Sequence, residues 1–314
     1  MPQQATHGHS VTKMGSDGLG PQYRSDDRLT ALVRRHQSWW RHTRLDVPWG
    51  VDGKGASYGN YLTKNDAAAG SNFLTPAIHF CVRERIAAGG GVEEFRCTHN
   101  LLSSQPMAFN LFGPLHADPN LAALLLDPLL PGGVRAASVH IEWAPPAKLH
   151  LADATSFDVA VRYTTRDGHP ALAAIETKLT EAFSQKRYGH DDHRVDRYRA
   201  VAKNSRVWRD PTDPALTDIR WNQIWRNHLL VESIRQHEPG LLGCEMVVHH
   251  PDDDRCASVI DGYRSLLHDD EGAFGSLTLA RIVTTWRPLV AGTKHRRWLS
   301  DFEDRYLNLG LSAP

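Results

Sequence analysis

The sequence predicts an α/β fold in which helices flank a mixed central β-sheet. Three consecutive segments in the middle of the chain alternate apolar and polar residues with a period of two, which is typical of β-strands: VRAASVHIEW, SFDVAVRYTT and ALAAIETKLT. A long helical segment and one further apolar strand follow them. Strands that pair as neighbours, followed by a crossover helix and another strand, imply a sheet with both antiparallel and parallel pairs.

The segments before this core are predicted to be mostly helical. Residues 1–26 are polar, Gly-rich and aperiodic, and we expect a disordered leader. A helix is predicted from Asp27, with Asp26 or Asp27 as its cap, followed by a Gly-, Asn- and Asp-rich loop over 46–66. Further helices are predicted over 72–88, where Gly89-Gly90-Gly91 follows, and over 119–130.

Five further elements are predicted after the three strands. These elements are a helix over 214–236, a strand over 241–249, a helix over 253–267, a strand over 277–285 and a helix over 294–308. Because the chain has no internal repeat and no long linker, we predict a single domain over 27–314 with its core at about 119–250.

Composition excludes several classes of protein. Lys plus Arg and Asp plus Glu each number 36, so the chain has no net charge with which to attract nucleic acid, and any such binding needs local patches. The longest apolar runs are far shorter than the roughly 20 residues of a membrane helix, and the N-terminus lacks a secretory apolar region. The four cysteines form no CxxC pair. A cytoplasmic protein with no membrane contact is expected.

The second and third strands bring chemically reactive side chains together. Arg166-Asp167-Gly168 fits a three-residue hairpin loop with glycine in the left-handed position. This loop pairs strand residues whose numbers add up to 334, so that Asp158 lies opposite Glu176. Lys178 lies on the same face as Glu176, and the first strand adds Glu142 between apolar neighbours.

Three carboxylates and one lysine on one patch of sheet indicate metal-dependent hydrolysis. Carboxylates a few ångströms apart repel each other unless one is protonated or a cation lies between them. Mg²⁺ or Mn²⁺, which prefer oxygen ligands, would supply that cation. The lysine could orient or deprotonate a metal-bound water and balance negative charge as a phosphodiester is hydrolysed.

These residues and their order resemble the PD-(D/E)XK nuclease superfamily and, more narrowly, its bacterial restriction-endonuclease-like proteins. The resemblance covers about residues 30–308 and rests on AFNLFGPL (108–115), HIEWAP (140–145), TSFDVAV (155–161), IETKLTE (175–181) and QIWRNHLL (223–230). It implies a restriction-endonuclease-like αβββαβ core with N- and C-terminal helical additions.

The resemblance also implies roles for single residues. Asp158 and Glu176 correspond to the metal ligands, Lys178 to the lysine of the motif, and Glu142 to an upstream carboxylate that some members use. Phe157 stands where the motif has its proline, a position that the superfamily varies freely. The implied cofactor is Mg²⁺, with Mn²⁺ as an alternative.

Residues that would contact nucleic acid are predicted in two places. Gln223 and Arg226 share a face of the helix after the motif strand and could contact a phosphate or orient the lysine, although that helix edge could equally be a plain polar surface. Between Lys186 and Arg209 there are eight Lys or Arg and three Asp. The predicted DNA contacts in that stretch are Lys186, Arg187, Arg194 and Arg197.

The sequence thus predicts a Mg²⁺-dependent endonuclease that cuts DNA in bacterial restriction or defence. Two alternatives remain open: a catalytically silent nucleic-acid-binding module of the same fold, and a nuclease that acts on RNA or on DNA ends in repair. A homodimer is expected only by analogy. The sequence leaves open the recognition site, the number of metal ions and whether a partner activates the protein.

Overall fold

A computed structural model describes residues 18–184, 192–268 and 272–313 of the chain. Its first half contains α1 (Arg28–Trp39), β1 (Trp49–Val51), β2 (Ser57–Leu62), α2 (Lys64–Ala68), α3 (Pro76–Ala87), α4 (Glu94–His99), α5 (Ser104–Ala117) and α6 (Pro119–Leu126). Its second half contains β3 (Ala136–Trp143), β4 (Phe157–Thr164), β5 (Pro170–Lys178), α7 (Asp192–Ser205), α8 (Asn222–His237), β6 (Leu242–His249), α9 (Asp254–Arg264), β7 (Phe274–Thr278), α10 (Leu279–Trp286) and α11 (Gly292–Tyr306).

The central sheet has five strands in the order β3-β4-β5-β6-β7. The first three strands are antiparallel neighbours, whereas β6 and β7 run parallel to β5. The predicted α/β class with a mixed sheet and flanking helices is therefore confirmed. The predicted hairpin register is confirmed as well, because Val159 pairs with Ile175 and Gly168 adopts a φ of 91°.

Helices cover both faces of this sheet, so that it lies between two apolar cores. One core joins the sheet to α3, α5, α6, α10 and α11 through residues such as Phe112, Val161 and Phe302. The other joins it to α7, α8 and α9 through residues such as Trp225 and Val247. Two covered faces explain why β5 is buried along almost its whole length.

Residues 46–66, which the sequence predicted to be a loop, contain a β-hairpin instead. Trp49 pairs with Leu62, and the Asp52 carboxylate accepts hydrogen bonds from two backbone N–H groups of the turn, which closes it. Gly59 lets an earlier segment lie directly on β2, because a Cβ there would come within 1.9 Å of the Leu19 carbonyl oxygen. The Gly-rich composition thus reflects close packing of backbones and not a free loop.

The N-terminal segment was predicted to become ordered at Asp27, but packing begins earlier. Residues 1–17 lie outside the described residues, whereas Leu19 is buried and Asp26 forms an ion pair with Arg34. Asp27 accepts a hydrogen bond from the Thr30 backbone N–H and so caps α1, as predicted.

Other boundaries also differ from the prediction. The expected strand over 277–285 is largely α10, because Thr278 caps a helix whose residues Leu279, Ile282 and Val283 face the core. α8 begins at Asn222 and not at 214, since a short 3₁₀ turn occupies 214–217. Four helices, α2, α4, α5 and α7, were not predicted. α5 is buried almost all round and therefore lacks an amphipathic pattern.

Candidate active site

Glu142, Asp158 and Glu176 lie side by side on three adjacent strands. The pairs Ile141–Val159 and Trp143–Phe157 place Glu142 opposite Asp158, and the pair Val159–Ile175 continues the register toward Glu176. The sequence prediction that these three carboxylates would meet on neighbouring strands therefore agrees with the register of the sheet.

Glu142 is held in an unusual backbone conformation. Its φ is 53°, a value that a non-glycine residue rarely adopts. Arg85 donates to the Glu142 carbonyl oxygen at 2.5 and 3.0 Å, and Gln105 Nε2 donates to Glu142 Oε1 at 2.6 Å. A Cβ at Gly91 would come within 2.8 Å of Glu142. Partners from α3, from the segment before α4 and from α5 thus fix this buried carboxylate at the edge of the sheet.

Among the described residues, the hydrogen bonds to Asp158 reach one of its two carboxylate oxygens. The backbone N–H and the hydroxyl of Thr177 both donate to Asp158 Oδ2 at 2.8 Å. Burial and the negative charge of Glu176 raise the pKa of Asp158 to about 7, although Lys178 and the Thr177 hydrogen bonds oppose this shift. Burial and the charge of Asp158 also raise the pKa of Glu142 well above its usual value. Burial and neighbouring negative charge therefore destabilise the charged form of both carboxyl groups.

Glu176 and Lys178 form a buried ion pair that α8 encloses. Lys178 Nζ lies 2.7 Å from Glu176 Oε1. Gln223 Nε2 donates to Glu176 Oε1 at 2.7 Å and Asn227 Nδ2 donates to Glu176 Oε2 at 2.9 Å, so both carboxylate oxygens have partners. Gln223 Oε1 in turn accepts from Lys178 Nζ at 3.2 Å and from the Ser184 N–H at 2.7 Å. One glutamine thus orients both members of the motif.

The lysine is a cation in this arrangement. Burial on its own would lower the pKa of Lys178, but the negative charges of Glu176 and Asp158 outweigh burial and raise it. The ammonium also lies 5.0 Å from the centre of the Phe183 ring, a favourable cation–π distance. Lys178 can therefore supply positive charge, whereas an ammonium cannot accept a proton from water.

A fourth carboxylate, Glu245, lies close by and was not predicted. It is fully buried on β6 opposite Ala174, and neither carboxylate oxygen has a hydrogen-bond partner among the described residues. Burial and the charges of Glu176 and Asp158 raise the pKa of Glu245 well above its usual value, although the nearby Asn227 amide opposes this shift. A glutamate inside the apolar run LLGCEMVVH was the only sequence signal that could have indicated it.

The oxygen donors match a hard divalent cation in chemistry, but they are not gathered around one point. Asp158 Oδ2 is bound by Thr177, and Glu176 uses both oxygens for amides and lysine. Among the described residues, no three His, Cys, Asp or Glu side chains are grouped closely enough to hold a metal ion. Asp158 and Glu142, whose pKa values are both raised by burial and by neighbouring carboxylates, are the donors whose negative charge a cation would stabilise.

The predicted nucleic-acid contacts are distributed differently from the expectation. Gln223 lies in the site, as described above. Arg226 is buried and donates to the Thr155 hydroxyl at 2.9 Å and to Asn222 at 3.3 Å, so it secures the segment before β4. Arg197 is exposed on α7 and donates to the Lys148 carbonyl oxygen at 3.2 Å. Lys186, Arg187 and the side chain of Arg194 lie outside the described residues.

Sequence reasoning missed the residues that reach the site from other parts of the chain. Arg85 and Gln105 come from α3 and α5, and Asn227 comes from the same face of α8 as Gln223. Helical spacing places Asn227 on the face of Gln223, four residues further on, but spacing alone did not assign it a role in the site. Nothing in the local sequence distinguishes Arg85 or Gln105 from ordinary polar residues.

Comparison with protein families agrees with this geometry. The model of the PD-(D/E)XK nuclease superfamily matches residues 24–308, which is most of the chain. No curated protein and no solved structure gives a significant match. No helix within the described ranges is long and apolar enough to span a bilayer.

Proposed function

The chain belongs to the PD-(D/E)XK nuclease superfamily, and we propose that it is a Mg²⁺-dependent endonuclease that hydrolyses DNA phosphodiester bonds. The observation that carries this proposal is the row of Glu142, Asp158 and Glu176 on adjacent strands, with Lys178 bound to the last of them. We further propose a role in bacterial restriction or defence, which rests on the resemblance to restriction-endonuclease-like proteins.

In this proposal, Asp158, Glu176 and Glu142 hold the cation, which is Mg²⁺ or, as an alternative, Mn²⁺. When bound, such a cation lowers the pKa of a water ligand and stabilises negative charge on a phosphate. The raised pKa values of Asp158 and Glu142 support this assignment, because they indicate carboxylates whose ionised forms need a positive partner. Glu176 would exchange an amide or lysine partner for the cation.

Lys178 acts by charge in this proposal. Its ammonium would bind a phosphate oxygen and stabilise the negative charge that develops there as the bond to the attacking water forms. This role follows from its raised pKa, which keeps it protonated at neutral pH. A proton acceptor for the attacking water must then be another group, such as a carboxylate or a second water.

Gln223 and Asn227 are positioning residues in this account. They do not need to touch the substrate, because their amides fix the two oxygens of Glu176 and, through Gln223, the ammonium of Lys178. Amides on one rigid helix hold the pair without adding charge to the site. Basic residues between Lys186 and Arg197 are proposed to contact the DNA backbone, with Arg197 exposed on α7.

Cleavage of supercoiled plasmid tests this function. Wild-type protein, Asp158→Ala and Lys178→Ala would each be incubated with Mg²⁺, Mn²⁺ or EDTA, with Lys64→Ala as a control at an exposed lysine outside the site. We expect nicking or linearisation by the wild type and the control with either metal ion, and at least a 100-fold loss in both site variants. Equal cleavage by the Lys178 variant would contradict the proposed role of the lysine.

A catalytically silent nucleic-acid-binding module is the second candidate. It is favoured by the hydrogen bonds of Glu176, because both of its carboxylate oxygens already accept hydrogen bonds from side chains of the protein. Absence of cleavage by the wild type with every divalent ion, together with DNA binding that persists in EDTA, would support this candidate over the nuclease. RNA and linear DNA in place of plasmid would separate a restriction-type enzyme from an RNA or DNA-end nuclease.

A further inference from the structure

A pocket of about 140 Å³ lies beside the carboxyl end of β5, next to the proposed catalytic lysine. Its apolar walls come from three segments of the chain, and they include Ala182, Phe183, Ile219, Cys256 and Val259. Phe183 belongs both to the pocket and to the site, because the Lys178 ammonium lies 5.0 Å from its ring centre. A group bound in the pocket would therefore contact the same ring as the lysine.

Two arginines line the exposed part of this pocket. Arg220 and Arg255 have side chains that are 63% and 54% exposed. Arg220 is held by Asp218 at 2.9 Å, and Arg255 is held by Asp27 at 2.8 Å and by Asp253 at 3.5 Å. Asp253 and Glu181 also line the pocket, so the lining contains two carboxylates as well as two guanidinium groups. These ion pairs restrict the guanidinium groups without burying them, so that their planar faces and part of their N–H donors remain exposed beside the pocket.

We propose that this pocket binds one unpaired nucleobase of a nucleic-acid strand, next to the phosphate that Lys178 contacts. We call it the base pocket. The inference rests on the proposed function for the position of that phosphate. It adds a substrate class, which is nucleic acid with an unpaired base beside the site of cleavage.

The chemistry of the walls matches a base. An aromatic ring and aliphatic side chains offer the flat apolar contact on which bases stack in proteins that bind single strands. Arginines beside an apolar pocket suit a nucleotide, whose planar base is flanked by phosphates. An apolar side chain from a protein partner would also match the walls. Phe183, however, places the pocket beside the lysine that is proposed to contact a phosphate, and this position favours a nucleotide.

The size of the pocket determines which form of nucleic acid can enter. About 140 Å³ admits a single planar group and excludes a base pair. A base in a duplex would first have to leave its stack, which costs free energy, whereas a base in a single strand, a mismatch or an end is already available. The base pocket therefore predicts a preference for unpaired nucleotides.

Filling the pocket tests this inference independently of cleavage. Val259→Trp on α9 and Ile219→Trp in the segment before α8 place an indole in the pocket, and Ser258→Trp places the same group on the exposed side of α9. The probe is a fluorescein-labelled 20-nucleotide single strand of mixed sequence, as DNA and as RNA, with the DNA duplex of the same sequence for comparison. Dissociation constants are measured by fluorescence anisotropy in EDTA, and circular dichroism checks the fold.

We expect both pocket variants to weaken single-strand binding about tenfold, which is about 1.4 kcal/mol and lies within the cost of losing one stacked base. Duplex binding should change less than twofold, and Ser258→Trp should bind as the wild type does. Comparison of DNA with RNA identifies which strand supplies the base. Unchanged single-strand binding in both folded variants, an equal loss in Ser258→Trp, or no single-strand binding by the wild type would overturn the inference.

These outcomes are separate from those that decide the proposed function. A silent module would bind single strands through the base pocket and cleave nothing. A nuclease without a base pocket would cleave plasmid in a Lys178-dependent manner and show no effect of Val259→Trp. Binding and cleavage measured on the same preparations therefore distinguish failure of one proposal from failure of the other.

Discussion

Two buried groups of charged side chains in this protein are stabilised in opposite ways. Arg305 on α11 is completely buried and donates to Gln37 Oε1 at 3.1 Å, to the Asn72 carbonyl oxygen at 2.8 Å and to Asn72 Oδ1 at 2.5 Å. Arg41 is likewise buried, and its guanidinium donates to the carbonyl oxygens of Gly18, Val47 and Gly59. Each cation is surrounded by neutral acceptors.

The acidic cluster on the sheet, which consists of Glu142, Asp158, Glu176 and Glu245, is arranged differently. It contains four carboxylates and a single buried lysine, and the pKa values of Glu142, Asp158 and Glu245 are raised by burial and by the negative charges of neighbouring carboxylates. Glu245 has no hydrogen-bond partner among the described residues. This difference distinguishes structural charges from functional ones. A buried charged group whose hydrogen bonds are all made stabilises the fold, whereas buried carboxylates without enough positive charge around them indicate a site that binds a ligand.

The largest effect that this comparison predicts is on stability. Arg305→Met should lower the free energy of unfolding by about 3 kcal/mol, because three buried acceptor oxygens would lose their donor. Arg287→Met, at an arginine that is 56% exposed and paired with Glu303, should cost less than about 1 kcal/mol. Urea unfolding measures both. Equal effects would show that Arg305 is no more important for stability than a surface ion pair.

Asp158→Asn should raise the free energy of unfolding in EDTA, whereas Arg305→Met should lower it. A carboxylic acid with a raised pKa binds its proton more tightly in the folded protein than in the unfolded chain, so stability falls as pH rises from about 4 to about 7. Asparagine does not ionise, so it removes this pH-dependent loss of stability and should stabilise the metal-free protein at pH 8 by about 2 kcal/mol. This value is smaller than the full pKa shift of Asp158 would give, because the side chain is partly exposed.

Thermal melting at pH 4 and pH 8, with EDTA or Mg²⁺, measures this effect. The variant and the wild type should melt alike at pH 4, and Mg²⁺ should stabilise the wild type more than the variant at pH 8. If the wild type became more stable between pH 4 and pH 8 relative to the variant, Asp158 would have a depressed pKa and a cationic partner that compensates it.

The sequence predicted the part of the site that depends on local pairing. The hairpin loop at 166–168 determines the register of two strands, and that register alone places Asp158 beside Glu176. The same argument holds for Lys178, because alternate residues of a strand share a face. Strand periodicity and turn chemistry are properties of short segments, so the sheet and the motif residues could be predicted without tertiary contacts.

The parts of the site and of the fold that the sequence did not predict depend on contacts between distant segments. Gln105 reaches Glu142 across 37 residues, and Asn227 reaches Glu176 across 51. The β1–β2 hairpin is stabilised by packing on residues 19–21 and on α1, which its own composition does not indicate. In α5, burial on every side removes the periodicity that would reveal a helix.

Glu245→Met provides the most direct comparison with Arg305→Met, because the same side chain replaces a buried charged residue in each region. Methionine should stabilise the protein at pH 7 by about 1–2 kcal/mol, since it removes a buried carboxyl group that has no hydrogen-bond partner. The gain should decrease toward pH 4, where the unfolded glutamate also becomes neutral. Urea unfolding in EDTA measures it. A loss comparable to that of Arg305→Met would mean that Glu245 has a partner as Arg305 does.

Gln223→Ala should produce the smallest effect, and the effect should appear in catalysis. Removing the amide leaves Glu176 and Lys178 with one partner fewer each, so the pair should remain but lose its fixed orientation. We expect cleavage to fall about tenfold, which is about 1.4 kcal/mol, with little change in the free energy of unfolding. Gln236→Ala, which removes a hydrogen bond to Val201 from the same helix, is the matched control and should cleave normally.

A positioning role differs from a structural role in its pH dependence. Gln223→Ala should shift the pH profile of cleavage, because the amide oxygen is one of the groups that surround the Lys178 ammonium, whose pKa is raised by its neighbours. Gln223→Glu should be more harmful than alanine, since it adds a further carboxylate to a cluster that already lacks positive charge. If Gln223→Glu cleaved normally while Gln223→Ala did not, the negative charge of the acidic cluster would already be neutralised. The contrast between this cluster and the Arg305 region would then no longer indicate a cation-binding site.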